Sequence, residues 1–289
     1  MRRLVWGFTL LLAAGPLAAA AHDKKDDKPA PADEVKSLIA DYQKSQQEFY
    51  DALGKAKTAD ERTKAQEKRP DPEALAVRLL ELAEQNPEDA GVTPVALVHI
   101  VTLPLRGGDG TKHLALERLA SDHAASDQLE PIVLRLTYQP SPAVEAFLRA
   151  VVDKNPKDEL KGKATYGLGA MLQQAAGYAR QMHEQPELEQ RVEAAFGKEA
   201  ARWLRDADAD RLEREAEELF ETAADKFADV PMYAEETLGD AAKGQLFEIR
   251  NLGIGKTAPE IEGVDLDGTP FKLSDYRGKV VVIDFWGNW

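Results

Sequence analysis

Up to about Arg250, apolar residues recur along this chain with helical spacing. Val35, Tyr42, Phe49 and Ala56 lie seven positions apart, and Ile39, Gln46 and Leu53 follow the first three by four. One face of a helix beginning at Asp33 is therefore apolar and has to pack. With about three heptads and Gln46 in the stripe, a packed helical hairpin fits better than a free coiled coil. Asp71-Pro72, Thr93-Pro94 and Ser141-Pro142 each set a capping side chain before a proline suited to a first helical turn, so three further helices are predicted to start there. Asn86-Pro87 and Asn155-Pro156 close runs carrying Leu75, Leu79, Leu82 and Phe147, Leu148, Val151. These two endings lie about two 34-residue periods apart, a weak echo of a helical repeat. From Glu187 to Val230 the chain is dense in Glu, Arg and Asp above a stripe of Leu204, Leu212, Leu219 and Phe220. That pattern predicts one long solvated helix with i,i+4 ion pairs. The region 33–250 thus reads as mainly α, an irregular helical array of α-solenoid-like character.

After Asn251 the pattern changes. Gly253, Gly255, Pro259, Gly263 and Gly268 crowd together, apolar residues begin to alternate, and Asp267-Gly268 favours a tight hairpin between arms 261–264 and 269–272. Ser274 is placed to cap a short turn stopped by Gly278. Val280, Val281, Val282 and Ile283, followed by Asp284, Phe285 and Trp286, read as a short strand buried on both faces. A domain boundary is predicted at 251.

Composition adds constraints. Arg2 and Arg3, an apolar run from Leu4 to Leu12, and small residues up to Ala21 have the layout of a secretory signal peptide over residues 1–21. Gly15 and Pro16 break the apolar run, which is short for a membrane anchor. Residues 22–32, charged and then rich in Pro and Ala, read as a flexible linker. An exported, periplasmic or extracytoplasmic protein follows, with no membrane association after cleavage. The net charge of −14 argues against nucleic acid as a partner, because phosphate contacts need clustered Lys and Arg. The chain has no cysteine, so it offers neither a disulfide nor a thiolate.

Most candidate chemistry can be set aside on spacing. Gly255-Lys256-Thr257 lacks the earlier glycine of a phosphate-binding loop, since Arg250 stands in its place, and Pro259 rather than a helix follows. Gly162, Gly167 and Gly169 do not space as a dinucleotide motif and suit close helix packing. His22, His99, His113, His123 and His183 form no His-x-x-x-His pair, so no metal site is expected. There is no Gly-x-Ser-x-Gly elbow, and no acidic pair stands out.

Residues 255–289 remain. The Gly-Lys-x-Ala-Pro entry, the Asp-Gly hairpin, Leu273-Ser274-Asp275, Gly278-Lys279 and the run IDFWGNW occur in the order and spacing of the thioredoxin-like redoxins of the alkyl hydroperoxide reductase/thiol-specific antioxidant type. The chain resembles exported bacterial members that carry a long helical N-terminal region. The resemblance implies that 251–289 is the N-terminal fragment of a thioredoxin-like α/β domain, whose Cys-x-x-Cys would begin directly after Trp289. By that resemblance, Trp289 precedes the nucleophile, Trp286 and Phe285 form its packing surround, and Asp284 falls where thioredoxin has a buried base. Burial in a two-faced strand would raise the pKa of such an aspartate. The implied function is that of an exported thiol-disulfide oxidoreductase, acting on protein disulfides with a thiol reductant and no cofactor, with a protein partner for the helical region. The alternatives are a thiol-specific peroxidase acting on peroxides, and a non-enzymatic α-solenoid interaction protein with a vestigial redoxin part. With its nucleophile missing, the 289-residue chain is expected to be inactive. Mutation, a cut sequence, a cysteine-less scaffold and a recoded stop would each account for the ending. A UGA codon for selenocysteine is the favoured one, because a selenol ionises more readily than a thiol at the attacking position.

Overall fold

The computed structural model describes residues 29–105, 110–233, 235–253 and 255–286. The expected signal peptide, most of the linker, and Trp289 lie outside these described residues.

The helices are α1 (Pro31–Lys55), α2 (Ala59–Gln66), α3 (Pro72–Gln85), α4 (Thr93–Thr102), α5 (Thr111–Asp122), the short α6 (Glu130–Val133) between 3₁₀ turns Asp127–Leu129 and Arg135–Tyr138, α7 (Pro142–Lys154), α8 (Asp158–Glu184), α9 (Leu188–Phe196), α10 (Lys198–Asp206), α11 (Ala209–Lys226) and α12 (Leu238–Asn251). They form a stepwise array in which α3 packs on α4, α4 on α5, α5 on α7, α7 on α8, α8 on α11 and α11 on α12. The chain is mainly α, with the first β elements at its C-terminal end.

Local sequence sets most of the helix starts. The Asp71 carboxylate accepts the Glu73 N–H (2.9 Å) and the Ser141 hydroxyl accepts the Val144 N–H (3.3 Å), each ahead of the expected proline. α1 begins at Pro31, inside the segment expected to be linker, because proline is at home in the first helical turn. Thr93 departs from expectation. It is the first residue of α4, and its hydroxyl donates backwards to the carbonyls of Asn86 (2.5 Å) and Ala83 (3.2 Å). It therefore closes the end of α3 rather than the start of α4, satisfying carbonyls that a helix end leaves unpaired.

Helix α8 is the centre of the array and touches α7, α9, α10, α11 and α12. Its glycines let neighbours approach. A Cβ on Gly162 would lie 2.8 Å from Cβ of Phe227, and one on Gly169 would lie 3.1 Å from the Phe220 ring and 3.3 Å from the Ala216 carbonyl. Phe147, Phe220, Leu79, Leu148 and Met171 are among the fully buried side chains of the resulting core.

The acidic stretch from Glu187 is three helices, not one. Gly197, at φ +92°, breaks it between α9 and α10, and the Asp208 carboxylate caps α11 by accepting the Arg211 N–H (3.0 Å). Its ion pairs mostly cross between helices: Arg149 of α7 to Glu215 (2.6 Å), Arg180 of α8 to Asp210 (3.0 Å) and Glu213, and Arg250 of α12 to Glu217 (2.6 Å) and Glu221. The charged face of α11 is thereby a seam joining three neighbours. Water screens these exposed pairs, so each is weak by itself.

Strands β1 (Glu262–Val264) and β2 (Pro270–Lys272) pair antiparallel with Gly263 opposite Phe271. The Asp267-Gly268 turn lies in the connection 265–269 between the strands. Gly268 (φ +79°) donates its N–H to the Asp265 carbonyl (3.0 Å), and Asp265 donates its own N–H to Thr269 (2.9 Å). The Asp265 carboxylate accepts the N–H groups of Asp267 (2.9 Å) and Thr269 (2.8 Å). A 3₁₀ turn, Leu273–Tyr276, follows. Among the described residues the last buried side chain is Leu246, so the hairpin lies outside the helical core.

Candidate functional site

The segment with the redoxin-like pattern is held together by backbone hydrogen bonds and one carboxylate. The Leu273 N–H donates to the Ile261 carbonyl (2.9 Å), which extends the ladder by one step. Glu260 then accepts the Ser274 N–H (2.9 Å) and the Ile261 N–H (3.2 Å), tying the entry of the hairpin to the 3₁₀ turn. The Ser274 hydroxyl first, then the Ser274 and Ile261 N–H groups, hold the Glu260 carboxyl below its ordinary pKa. Ser274 thus meets Glu260 through both its hydroxyl and its N–H and is not the cap of the turn. That role falls to Asp275, whose carboxylate accepts the Lys272 N–H (3.0 Å). A shallow cleft of about 290 Å³ lies between Thr257–Glu260 and Leu273, Ser274 and Arg277. The Lys279 ammonium stands 5.5 Å from the centre of the Tyr276 ring.

Beyond Gly278 (φ +82°) the expected buried strand is absent. Residues 280–286 pair with neither β1 nor β2, and Val280, Val282, Phe285 and Trp286 are 98, 89, 83 and 85% exposed. The reason is that a strand cannot satisfy its own N–H and C=O groups. A central strand needs a hydrogen-bonded neighbour on each side, and the described residues supply none for this run.

This outcome decides where each expected site residue stands. Asp284 is exposed. Phe285 and Trp286 are exposed and form no packing surround, and Trp289 lies outside the described residues. The structure therefore brings Asp284 and Trp286 together only as near neighbours in sequence. Among the described residues no group of three or more His, Cys, Asp or Glu side chains is placed to hold a metal ion, and no helix is long and apolar enough to cross a membrane. Sequence reasoning missed Glu260. The available signal was an acidic residue placed just before the first arm, with free N–H groups expected where the second arm enters the 3₁₀ turn.

Comparison with known proteins gives a partial relationship, to the class of thiol-disulfide oxidoreductases. The relatives are proteins named thiol-disulfide oxidoreductase ResA. That of Geobacillus kaustophilus is 50% identical over 38 residues, 13% of this chain and 22% of the relative. That of Geobacillus thermodenitrificans is 47% identical over 38 residues, and that of Bacillus thuringiensis is 38% identical over 47 residues, 16% of this chain and 27% of the relative. The chain spans about a quarter of the length of the curated relatives it matches. No protein-family model and no solved structure matches it. A short part of the chain is therefore similar to thioredoxin-like redox proteins.

Proposed function

We propose that this polypeptide belongs to an exported thiol-disulfide oxidoreductase, in which residues 33–250 form a helical platform and residues 251–289 open a thioredoxin-like domain. The observation that carries the reading is the identity with proteins named thiol-disulfide oxidoreductases, over stretches of about the length of that last segment. Residues 1–289 contain no cysteine, so the redox nucleophile belongs to residues that follow Trp289 in the full reading frame. There a thiolate, or a selenolate encoded by UGA, attacks one sulfur of a substrate disulfide. A mixed intermediate forms as the other sulfur leaves as a thiolate; a second thiolate of the protein then attacks the nucleophile's own sulfur or selenium, displacing the second product thiolate and leaving the protein oxidised as a disulfide or selenenylsulfide, which an external thiol reductant reopens. Once the remaining strands pair with 280–286, Asp284 becomes a buried base, and Trp286 and Trp289 pack around the nucleophile. The 289-residue form by itself is inactive in this reaction. Trp289 directly before the nucleophile favours Cys-x-x-Cys chemistry over peroxide reduction.

Two measurements test this. Genomic sequence beyond codon 289 is expected to continue in frame through a cysteine or UGA codon, a second cysteine and a thioredoxin half; a frame that decays would overturn the reading. Disulfide reduction by the extended protein, absent from the 289-residue form, is the expected activity. Partner binding with no activity in either form would support the interaction-protein alternative instead.

A further inference from the structure

The helical array has a pocket of about 300 Å³ that the redox reading does not use. Tyr138 at the end of a 3₁₀ turn, Tyr166 and Gln174 on α8, Met232 and Tyr233 in the loop before α12, and Glu248 on α12 line it. Tyr138 and Tyr233 are 74 and 61% exposed and form the lip. Tyr166 is set deeper, its ring tilted against fully buried Phe220 at 5.4 Å between centres, so the core holds it in place. Oε1 of Gln174 is buried and has no hydrogen-bond partner. Among the described residues no Lys, Arg or His lines the pocket. Burial first, then Tyr138 and the carboxylates of Glu236 and Glu248, push the Tyr166 hydroxyl up to about 12, so it stays a neutral phenol.

We propose that this pocket binds a protonated alkylamine, an ammonium head with N–H donors on a short methylene stem. Aromatic rings attract a cation through their quadrupoles, and Glu248 adds an opposite charge at the rim. The unpaired Gln174 oxygen is the discriminating feature, because a buried acceptor left without a donor is costly. A protonated amine supplies that donor; a quaternary ammonium or a neutral alkyl chain does not. The methylene stem would lie against Met232 and the ring edges, as lysine stems do on apolar surface. An anion is disfavoured by Glu248 and Glu236.

Calorimetric titration of the full chain with n-butylammonium, Nα-acetyl-lysine methylamide, tetramethylammonium and n-butanol tests the assignment. Both amines are expected to bind saturably and about tenfold more tightly than butanol or tetramethylammonium. Tyr233→Ala and Glu248→Gln, both at exposed positions, are each expected to weaken the amines severalfold without lowering the melting temperature. Gln174→Leu should shrink the preference for butylammonium over tetramethylammonium. A lysine derivative binding better than butylammonium identifies a protein side chain as the source, and equal binding identifies a free amine. Butanol binding as tightly as butylammonium, or no saturable binding of either amine, would overturn the proposal.

Discussion

Phe220 and Phe285 are the same residue type in two regions of one chain. Phe220 is fully buried between α11 and α8, while Phe285 is 83% exposed. The contrast extends to their neighbours. Leu212, Ala216 and Ala223 share the burial of Phe220, whereas Val280, Val282 and Trp286 share the exposure of Phe285. A helix satisfies its own backbone, so α11 needs only side-chain partners, and α8 and α12 supply them. An extended run must find both its backbone partners and its side-chain partners in other segments. One region therefore finds its partners within the described residues, and the run 280–286 finds none there.

The largest expected effect on this contrast comes from truncating the two phenylalanines in turn. Phe220→Ala is expected to destabilise the helical array by about 3–5 kcal/mol, and Phe285→Ala to change it by less than about 0.5 kcal/mol; denaturant unfolding followed by circular dichroism reads both. Similar losses would place residues 280–286 inside the cooperative core and erase the difference.

A polar counterpart is Asn155, 1% exposed. Its Nδ2 donates to the carbonyls of Ala124 (2.9 Å) and Ser126 (3.0 Å), and its Oδ1 accepts the Lys157 N–H (3.0 Å). Asn155→Ala strands these groups and is expected to cost about 1–3 kcal/mol, seen as a lower melting temperature. An unchanged melting temperature would mean that water replaces all three bonds.

Acid should separate the regions by pH. Burial pushes His99 below its ordinary pKa, and its Nε2 is buried without a partner. The fold therefore prefers neutral imidazole. The stability tied to His99 is present above about pH 6.5 and is lost as pH falls through the depressed folded value. Melting temperatures of the array are expected to fall between pH 7 and 5, with a shallower fall in His99→Leu; equal slopes would clear His99 of the effect. In the hairpin the group to watch is Glu260. Its pKa is depressed, so its contribution holds above about pH 4.3 and fades below that, readable as movement of the Ser274 amide resonance. No movement there would mean that the hairpin is held without Glu260.

Val282→Lys is the mildest change. An exposed, β-prone run is an aggregation segment, so this variant is expected to aggregate more slowly at unchanged melting temperature. Equal aggregation rates would show that the run is shielded in solution.

Features decided within a few residues were legible in the sequence. Asp71-Pro72 and Ser141-Pro142 start helices where expected, the α1 stripe packs through Val35 and Phe49, and Gly162 and Gly169 serve helix packing, because caps and periodicity depend on backbone geometry nearby. The change from helical to hairpin character after Asn251 was legible for the same reason. Tertiary structure decided what depends on groups distant in sequence. Thr93 closes α3 because α3 ends within reach of its hydroxyl, and α11 became a seam of ion pairs because α7, α8 and α12 present arginines to it. The tyrosine pocket draws on four separate elements, so no local pattern announced it. The run from Val280 to Trp286 shows the same division: its sequence determines a strong preference for an extended conformation, but strand pairing and burial are properties of a sheet.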